Sequence, residues 1–226
     1  MVVRAIPNGD ERDKDVANAI YYAVNNGANV INMSFGKQYS PQKARVDQAV
    51  AYAEKHGVVL IHAAGNDGKN TESNNNNFPN KNLNQNKLTG HAANNWIEVG
   101  ASSRTNDATL PADFSNWGKT SVDLFAPGTE IMSTIPGNNY RLLQGTSMAS
   151  PEVAGIAALL MSRFPEKSAA DIINAMMSTT NQYLGLLVDR TMDDGSKIQI
   201  KFSDLSQSGG IINTENAMLK LLVPQN

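Results

Sequence analysis

The chain has no cysteine in its 226 residues. Disulfides, thiolate zinc sites and a cysteine nucleophile are therefore all excluded, although this absence does not fix the compartment. Histidine is also scarce: His56, His62 and His91 are the only three, so imidazole chemistry is confined to those positions. No run approaches the roughly 18 apolar residues of a membrane helix. The net charge is only −2 and there is no Lys/Arg block, which argues against a nucleic-acid surface. Met1-Val2-Val3-Arg4 lacks the basic start and apolar core of a signal peptide. No fixed-spacing calcium motif occurs, although the Asn/Asp-rich loops offer oxygens that leave calcium open; no metal-ligand set is assigned and no cofactor is expected. Neither an internal repeat nor a linker divides the chain. With 41% hydrophobic and 18% charged residues, it has the material for one domain with a sizeable core.

Hydrophobic periodicity organises the first half. Residues 2–6 (Val-Val-Arg-Ala-Ile) read as a short strand ended by Pro7-Asn8-Gly9. Val16, Ala19, Ile20, Ala23 and Val24 form a helical stripe that Asp13 can cap and Asn26-Gly27 closes. Residues 29–33 form a second strand. Ser40-Pro41 supplies a cap and a first-turn proline for a helix carrying Val46, Ala49, Val50 and Ala53, which Gly57 ends. Residues 58–62 form a third strand. This alternation implies parallel strands joined by crossover helices, an α/β fold with helices on both faces of the sheet.

The rhythm breaks over residues 67–95, where eleven of 29 residues are Asn. That composition reads as a long surface loop inserted in the domain. Residues 96–101 resume the sheet, and short strands follow at 122–125 and 130–134. Ser168 and Asp171 open a helix with Ile172, Ile173, Met176 and Met177 as its apolar side. Alternation at 197–202 marks a hairpin, and residues 214–222 a last helix.

The chemistry centres on Gln144-Gly145-Thr146-Ser147-Met148-Ala149-Ser150-Pro151. A glycine turn leads into a helix whose first turn carries Ser147. Thr146 is positioned to cap it, and orphan N–H groups there can stabilise an oxyanion. Pro151 cannot donate an N–H to the carbonyl of Ser147, which loosens that turn. Beyond Glu152 the helix is apolar on every side, the pattern of a buried helix. A second segment, His62-Ala63-Ala64-Gly65-Asn66-Asp67-Gly68, leaves a buried strand at its carboxyl end, where open α/β sheets place their ligands.

Gly145-Thr146-Ser147-Met148-Ala149-Ser150-Pro151 resembles the nucleophile motif of the subtilisin-like serine proteases, the subtilases. Ala63-Ala64-Gly65-Asn66 resembles the family segment whose Asn donates its amide to the tetrahedral oxyanion. Phe114-Ser115-Asn116-Trp117-Gly118, Asp123-Leu124-Phe125-Ala126-Pro127-Gly128 and Gly210-Ile211-Ile212-Asn213 resemble its structural signatures. The resemblance implies Ser147 as nucleophile and Asn66 as oxyanion donor. It also implies Ser34, Phe35 and Gly36 as a strand that pairs with extended substrate, and Ala63, Ala64 and Gly65 as the specificity-pocket wall. A subtilisin-like sheet, a peptide or protein substrate and a secreted or periplasmic location follow from the same source.

One departure bears on activity. The family's Asp-[Ser/Thr]-Gly and His-Gly-Thr-His settings, expected ahead of residue 2, do not occur. His56 reads as a helix-end cap, His62 as a core histidine and His91 as solvated. A serine without a base is a weak nucleophile. The chain thus reads as the carboxyl-terminal part of a catalytic domain, lacking the amino-terminal strands and inactive alone. Two other readings stay open: a peptide-binding module that lost its base, and a hydrolase using His62. Loss of neighbouring strands would expose residues 2–6 as an apolar edge and favour a homo-oligomer.

Overall fold

The computed structural model describes residues 1–6, 9–72, 77–83, 91–192 and 194–223, with only the backbone described at His91. The elements run α1 (Asp13–Asn25), β1 (Val30–Met33), α2 (Lys43–Lys55), β2 (Val59–Ala63), β3 (Asn82–Leu83), β4 (His91–Ala92), β5 (Trp96–Ser102), β6 (Leu124–Pro127), β7 (Ile131–Ile135) and β8 (Asn139–Leu143). The second half continues with α3 (Thr146–Arg163), α4 (Ala169–Ser178), β9 (Asn181–Gln182), β10 (Leu187–Thr191), β11 (Lys197–Lys201), β12 (Gly210–Ile211) and α5 (Thr214–Leu222).

The central sheet has the order β1-β2-β5-β6-β12-β9, parallel except for β9. Its faces separate two hydrophobic clusters. Val59 and Ile61 of β2 join Ile97 and Val99 of β5 beneath Ala149, Val153 and Ala157 of α3. Leu60 and Trp96 point the other way, onto Val16, Ile20, Val46 and Val50 of α1 and α2. Alternation along a strand buried on both faces thus fills two layers, the α/β arrangement expected. Each fully buried aliphatic side chain contributes about 1.5–3 kcal/mol relative to exposure.

Helix ends follow their local chemistry unevenly. Ser168 and Asp171 form a reciprocal capping box on α4, and the Asn213 side chain accepts the N–H of Asn216 on α5. Gly27 and Gly57 close α1 and α2 at φ +81° and +68°. Asp13 and Ser40 do not cap. The N-caps are Arg12 and Gln42, because Asp13 instead accepts from Ser40 Oγ at 2.8 Å and the Gln42 N–H at 2.7 Å. Lys37 completes this knot with an ion pair at 2.6 Å. Burial raises the Asp13 carboxyl, but the hydrogen bonds from Lys37, Gln42 and Ser40 outweigh it and hold the group below its ordinary range.

Four further expectations need correction. Residues 2–6 form no strand; Val2 is almost fully exposed, and the free sheet edge is β1. Val3 and Ala5 border an apolar groove between α1, β1 and α3 instead of pairing. Nor is α3 buried all round: Val153, Ala157 and Leu160 are covered, whereas Gly155, Ala158 and Leu159 face outward, because its neighbour β1 ends the sheet. Thr146 is not a cap; Gly145 holds that position without a side-chain bond. The Asn-rich segment is not all surface. Asn80, Leu83, Ala93 and Asn95 are buried, and Asn95 donates to the Val58 carbonyl at 2.6 Å. The Asn95 Oδ1 is nonetheless buried without a hydrogen-bond partner among the described residues. Residues 73–76 and 84–90 of this segment, like Pro7 and Asn8, lie outside the described residues. The hairpin β10–β11 forms its own two-stranded sheet apart from the central one.

Candidate active site

Glycine geometry opens the site. Gly145 adopts φ +148°, which favours a residue without Cβ, and its N–H is held by the Gly128 carbonyl at 2.8 Å. Thr146 and Ser147 follow as the first turn of α3. Pro151 leaves the Ser147 carbonyl without its helical donor. Ser34 Oγ supplies one across 113 residues, at 2.9 Å. In return Ser147 Oγ donates to the Ser34 carbonyl at 3.2 Å. Behind them, Ser150 Oγ donates to Asn32 Oδ1 at 2.6 Å, and Asn32 Nδ2 reaches Ser34 Oγ at 3.0 Å. The end of β1 and the Ser147 turn are thereby clamped together.

Asn66 is oriented with equal economy. Its Oδ1 accepts the Thr146 N–H at 2.8 Å and the Thr146 hydroxyl at 3.0 Å. A backbone N–H can only donate, so the carbonyl end of the amide must face Thr146. The Nδ2 donor then points away, and among the described residues it has no hydrogen-bond partner. Thr146 Oγ1 also accepts the Gly65 N–H at 3.1 Å, fixing the turn that carries Asn66. Gly65 itself needs φ +98°, and any Cβ there would strike the Asn116 amide.

Ser147, Asn66, Phe35, Gly36, Ala63 and Gly65 all line one cleft of about 420 Å³. Ser34 sits at its edge, bonded to Ser147. Ala64 does not line it; the residue is buried behind the wall, where its carbonyl accepts from Asn116 Nδ2 at 2.8 Å. Three contributions were not read from the sequence. Asn116 Oδ1 also receives the N–H groups of Asp67 and Lys69, at 3.1 and 3.0 Å. Asn77 donates to the Ala63 carbonyl at 2.8 Å. Thr146 locks the amide of Asn66. Asn116 stood inside a recognisable motif; Asn77 is one of many in an Asn-rich run, and no local signal separates it.

Neither described imidazole approaches Ser147. His56 Nδ1 lies 2.7 Å from the Tyr52 carbonyl at the end of α2. His62 is fully buried, with Nδ1 2.9 Å from Glu98 Oε1 and Nε2 2.7 Å from the Phe35 carbonyl. The other Glu98 oxygen accepts Trp96 Nε1 at 2.8 Å. His62 is therefore a satisfied core histidine that braces the Phe35 backbone, and it is not a base for Ser147. The side chain of His91 lies outside the described residues. No group of His, Asp or Glu able to hold a metal occurs among the described residues.

The sequence pattern of the subtilase family matches residues 1–202. The chain is similar to the "Thermophilic serine proteinase" of Bacillus sp. (strain AK1), 39% identical over 186 residues, which cover 82% of this chain and 41% of that protein. It is 37% identical over 164 residues to "Subtilisin DY" of Bacillus licheniformis, covering 73% of this chain and 54% of the relative. This chain thus spans about half or less of the curated relatives it matches. Its fold superimposes on the prenylagaramide maturation protease PagA with a TM-score of 0.71 and 27% identity, over 96% of this chain and 72% of that one. A protease of Pseudoalteromonas arctica superimposes with a TM-score of 0.70, over 93% of this chain and 59% of the other; at 24% identity that likeness concerns the fold. With the family pattern running through the β1 edge, the Asn66 turn and the Ser147 helix, the chain belongs to the subtilase family.

Proposed function

We propose that this chain carries the nucleophile and oxyanion half of a serine endopeptidase site, with the histidine base and its aspartate supplied from outside these residues. The observation that carries the reading is the Thr146 lock on Asn66, which leaves a fixed, neutral N–H donor in the cleft that Ser147 lines. Ser147 Oγ attacks the carbonyl carbon of an extended peptide as the external histidine takes its proton. Asn66 Nδ2 and the Ser147 N–H hold the oxyanion. The same histidine protonates the leaving amine, and water then hydrolyses the acyl-enzyme. Ser34, Phe35 and Gly36 pair with the peptide backbone, while Ala63 and Gly65 form the pocket wall with Ala64 supporting it from behind.

Alone, the chain is an inactive part of one catalytic domain that acts outside the cell or in the periplasm. Its free β1 edge and the apolar groove beside α3 favour pairing with a second copy when nothing else covers them. A non-catalytic peptide binder is the other reading, favoured by the lack of a described base at Ser147. It gives no reason for an Asn66 amide locked with its donor outward.

Linking the chain to an amino-terminal subtilase segment that bears the Asp and His motifs tests the assignment. Peptide hydrolysis that Ser147→Ala abolishes is the expected result. Peptide binding without hydrolysis in a folded, linked protein overturns it in favour of the binder.

A further inference from the structure

Glu98 is the hub of a buried network that reaches both walls of the cleft from behind. Glu98 and His62 are 6% and 0% exposed. Glu98 Oε1 lies 2.9 Å from His62 Nδ1 and accepts Asn77 Nδ2 at 3.2 Å, while Oε2 accepts Trp96 Nε1 at 2.8 Å. From this hub Asn77 Nδ2 also donates to the Ala63 carbonyl at 2.8 Å, and His62 Nε2 reaches the Phe35 carbonyl at 2.7 Å. Phe35 and Ala63 both line the cleft.

The partners fix the ring protons of His62. A carbonyl only accepts, so Nε2 carries a hydrogen. With a second hydrogen on Nδ1, three N–H groups converge on Glu98, the donor set of an ionised carboxylate. On this count His62 is an imidazolium neutralised by Glu98, with its ring 5.2 Å from that of Trp96. Committing Nδ1 to Glu98 leaves the Nε2–H a single orientation.

That orientation carries into the cleft through one peptide plane. The Phe35 carbonyl and the Gly36 N–H belong to the same trans peptide and point in opposite directions. His62 follows Leu60 by two residues in β2, so both occupy the face covered by α1 and α2. Drawing the Phe35 carbonyl towards that face turns the Gly36 N–H the other way, towards the face on which α3 packs. Gly36 lines the cleft, and among the described residues no acceptor meets its N–H.

We propose that His62, held by Glu98, is a positioning residue for substrate: it presets the Gly36 N–H as a donor to a carbonyl of an extended peptide. The proposal rests on the reading of residues 34–36 as the peptide-pairing strand. His62 touches no reacting atom, so its contribution falls on peptide affinity and not on the chemistry at Ser147.

NMR on the full chain, with N-acetyl-tetraalanine amide as the probe, tests this role. His62 Nε2 should carry a proton; a bare Nε2 overturns the proposal. Saturating peptide should move the Gly36 amide resonance. The His62 Nε2–H should move downfield with it, because bonding an N–H makes the carbonyl of the same peptide a stronger acceptor. His62→Ala should weaken peptide binding about tenfold, the effect of one hydrogen bond. His62→Gln, whose amide can donate from nearly the position of Nε2, should recover most of that loss, a rescue that a merely space-filling histidine would not show. A peptide that moves Gly36 yet binds His62→Ala as tightly as the unaltered chain, or leaves the Nε2–H unmoved, overturns the positioning role and leaves the strand reading standing. A Gly36 amide that no peptide concentration moves overturns the strand reading and this proposal with it. Should neither variant fold, the Nε2–H response in the unaltered chain decides.

Discussion

The carbonyl of Ser147 accepts the hydroxyl of Ser34 at 2.9 Å, although 113 residues separate them. The contact exists because Pro151 cannot supply the helical N–H that would otherwise occupy this carbonyl. Ser34→Ala should therefore destabilise the protein by about 1 kcal/mol, lowering Tm by about 2–4 °C for a chain of this size. Pro151→Ala restores the helical donor, so the cost of Ser34→Ala should shrink in the double variant by at least about 0.5 kcal/mol. Thermal unfolding of the four proteins measures the coupling. Strictly additive costs would show that the two donors do not compete for one carbonyl.

Asn66 should act on the transition state and not on substrate affinity. In a catalytically complete form, Asn66→Ala is expected to lower kcat by about 10²–10³ with KM nearly unchanged; this magnitude is the one known for the corresponding donor of subtilisin and does not follow from the present geometry. Steady-state kinetics on a chromogenic peptide decide. A change confined to KM would make Asn66 a groove residue.

The purified chain by itself should hydrolyse no peptide above background. Ser147 Oγ bonds to a carbonyl, the Ser34 oxygen at 3.2 Å, and both nitrogens of His62 are engaged elsewhere. A carbonyl cannot take a proton from the serine at neutral pH, so the hydroxyl stays a poor nucleophile. Cleavage of a peptide library by the chain, lost in Ser147→Ala, would show that it contains its own base.

Asp13 should make stability depend on acid. Its folded pKa lies below the unfolded value, so its stabilising contribution is complete above about pH 4 and is lost as pH falls through the folded value. The Tm difference between the unaltered chain and Asp13→Asn should be constant near neutrality and narrow below about pH 4. A difference that stays constant into stronger acid would separate Asp13 from the Lys37–Ser40–Gln42 knot.

Self-association should run through β1 and the groove beside α3. Sedimentation of the chain should show a dimer growing with concentration, and Ala158→Glu, which sets a charge in the groove, should return it to monomer. A monomer throughout the tens-of-micromolar range would mean that Val3 and Ala5 cover the groove adequately themselves.

Much of the framework is local and was legible for that reason. The stripes of α1 and α2, the apolar runs of β2 and β5, and the Ser168–Asp171 capping box depend on residues within a turn or two of one another. The seven residues from Gly145 to Pro151 and the Ala63-Ala64-Gly65-Asn66 segment identified the family and singled out the two turns that meet in the cleft. Errors arose where a local signal met a distant competitor. Asp13 and Ser40 have cap chemistry but bond each other and Gln42 across the α1–α2 connection. Residues 2–6 have strand composition, yet a strand exists only where a neighbour accepts its hydrogen bonds.

Sequence alone therefore determined the α/β class, the family and the identity of Ser147 and Asn66 as the residues to examine. Period, turn chemistry and motif are all properties of contiguous chain. Tertiary structure decided how those residues are held. Thr146 turns the Asn66 amide donor-outward from 80 residues away, Ser34 takes the carbonyl that Pro151 frees, and Asn116 and Asn77 fix the cleft wall. The inward turn of Arg190, with two buried donors left without a hydrogen-bond partner among the described residues, is likewise invisible in a strand that alternates like any other. Hydrogen-bond direction and burial depend on which groups the fold brings within about 3 Å of each other, and that pairing is written in no single stretch of the chain.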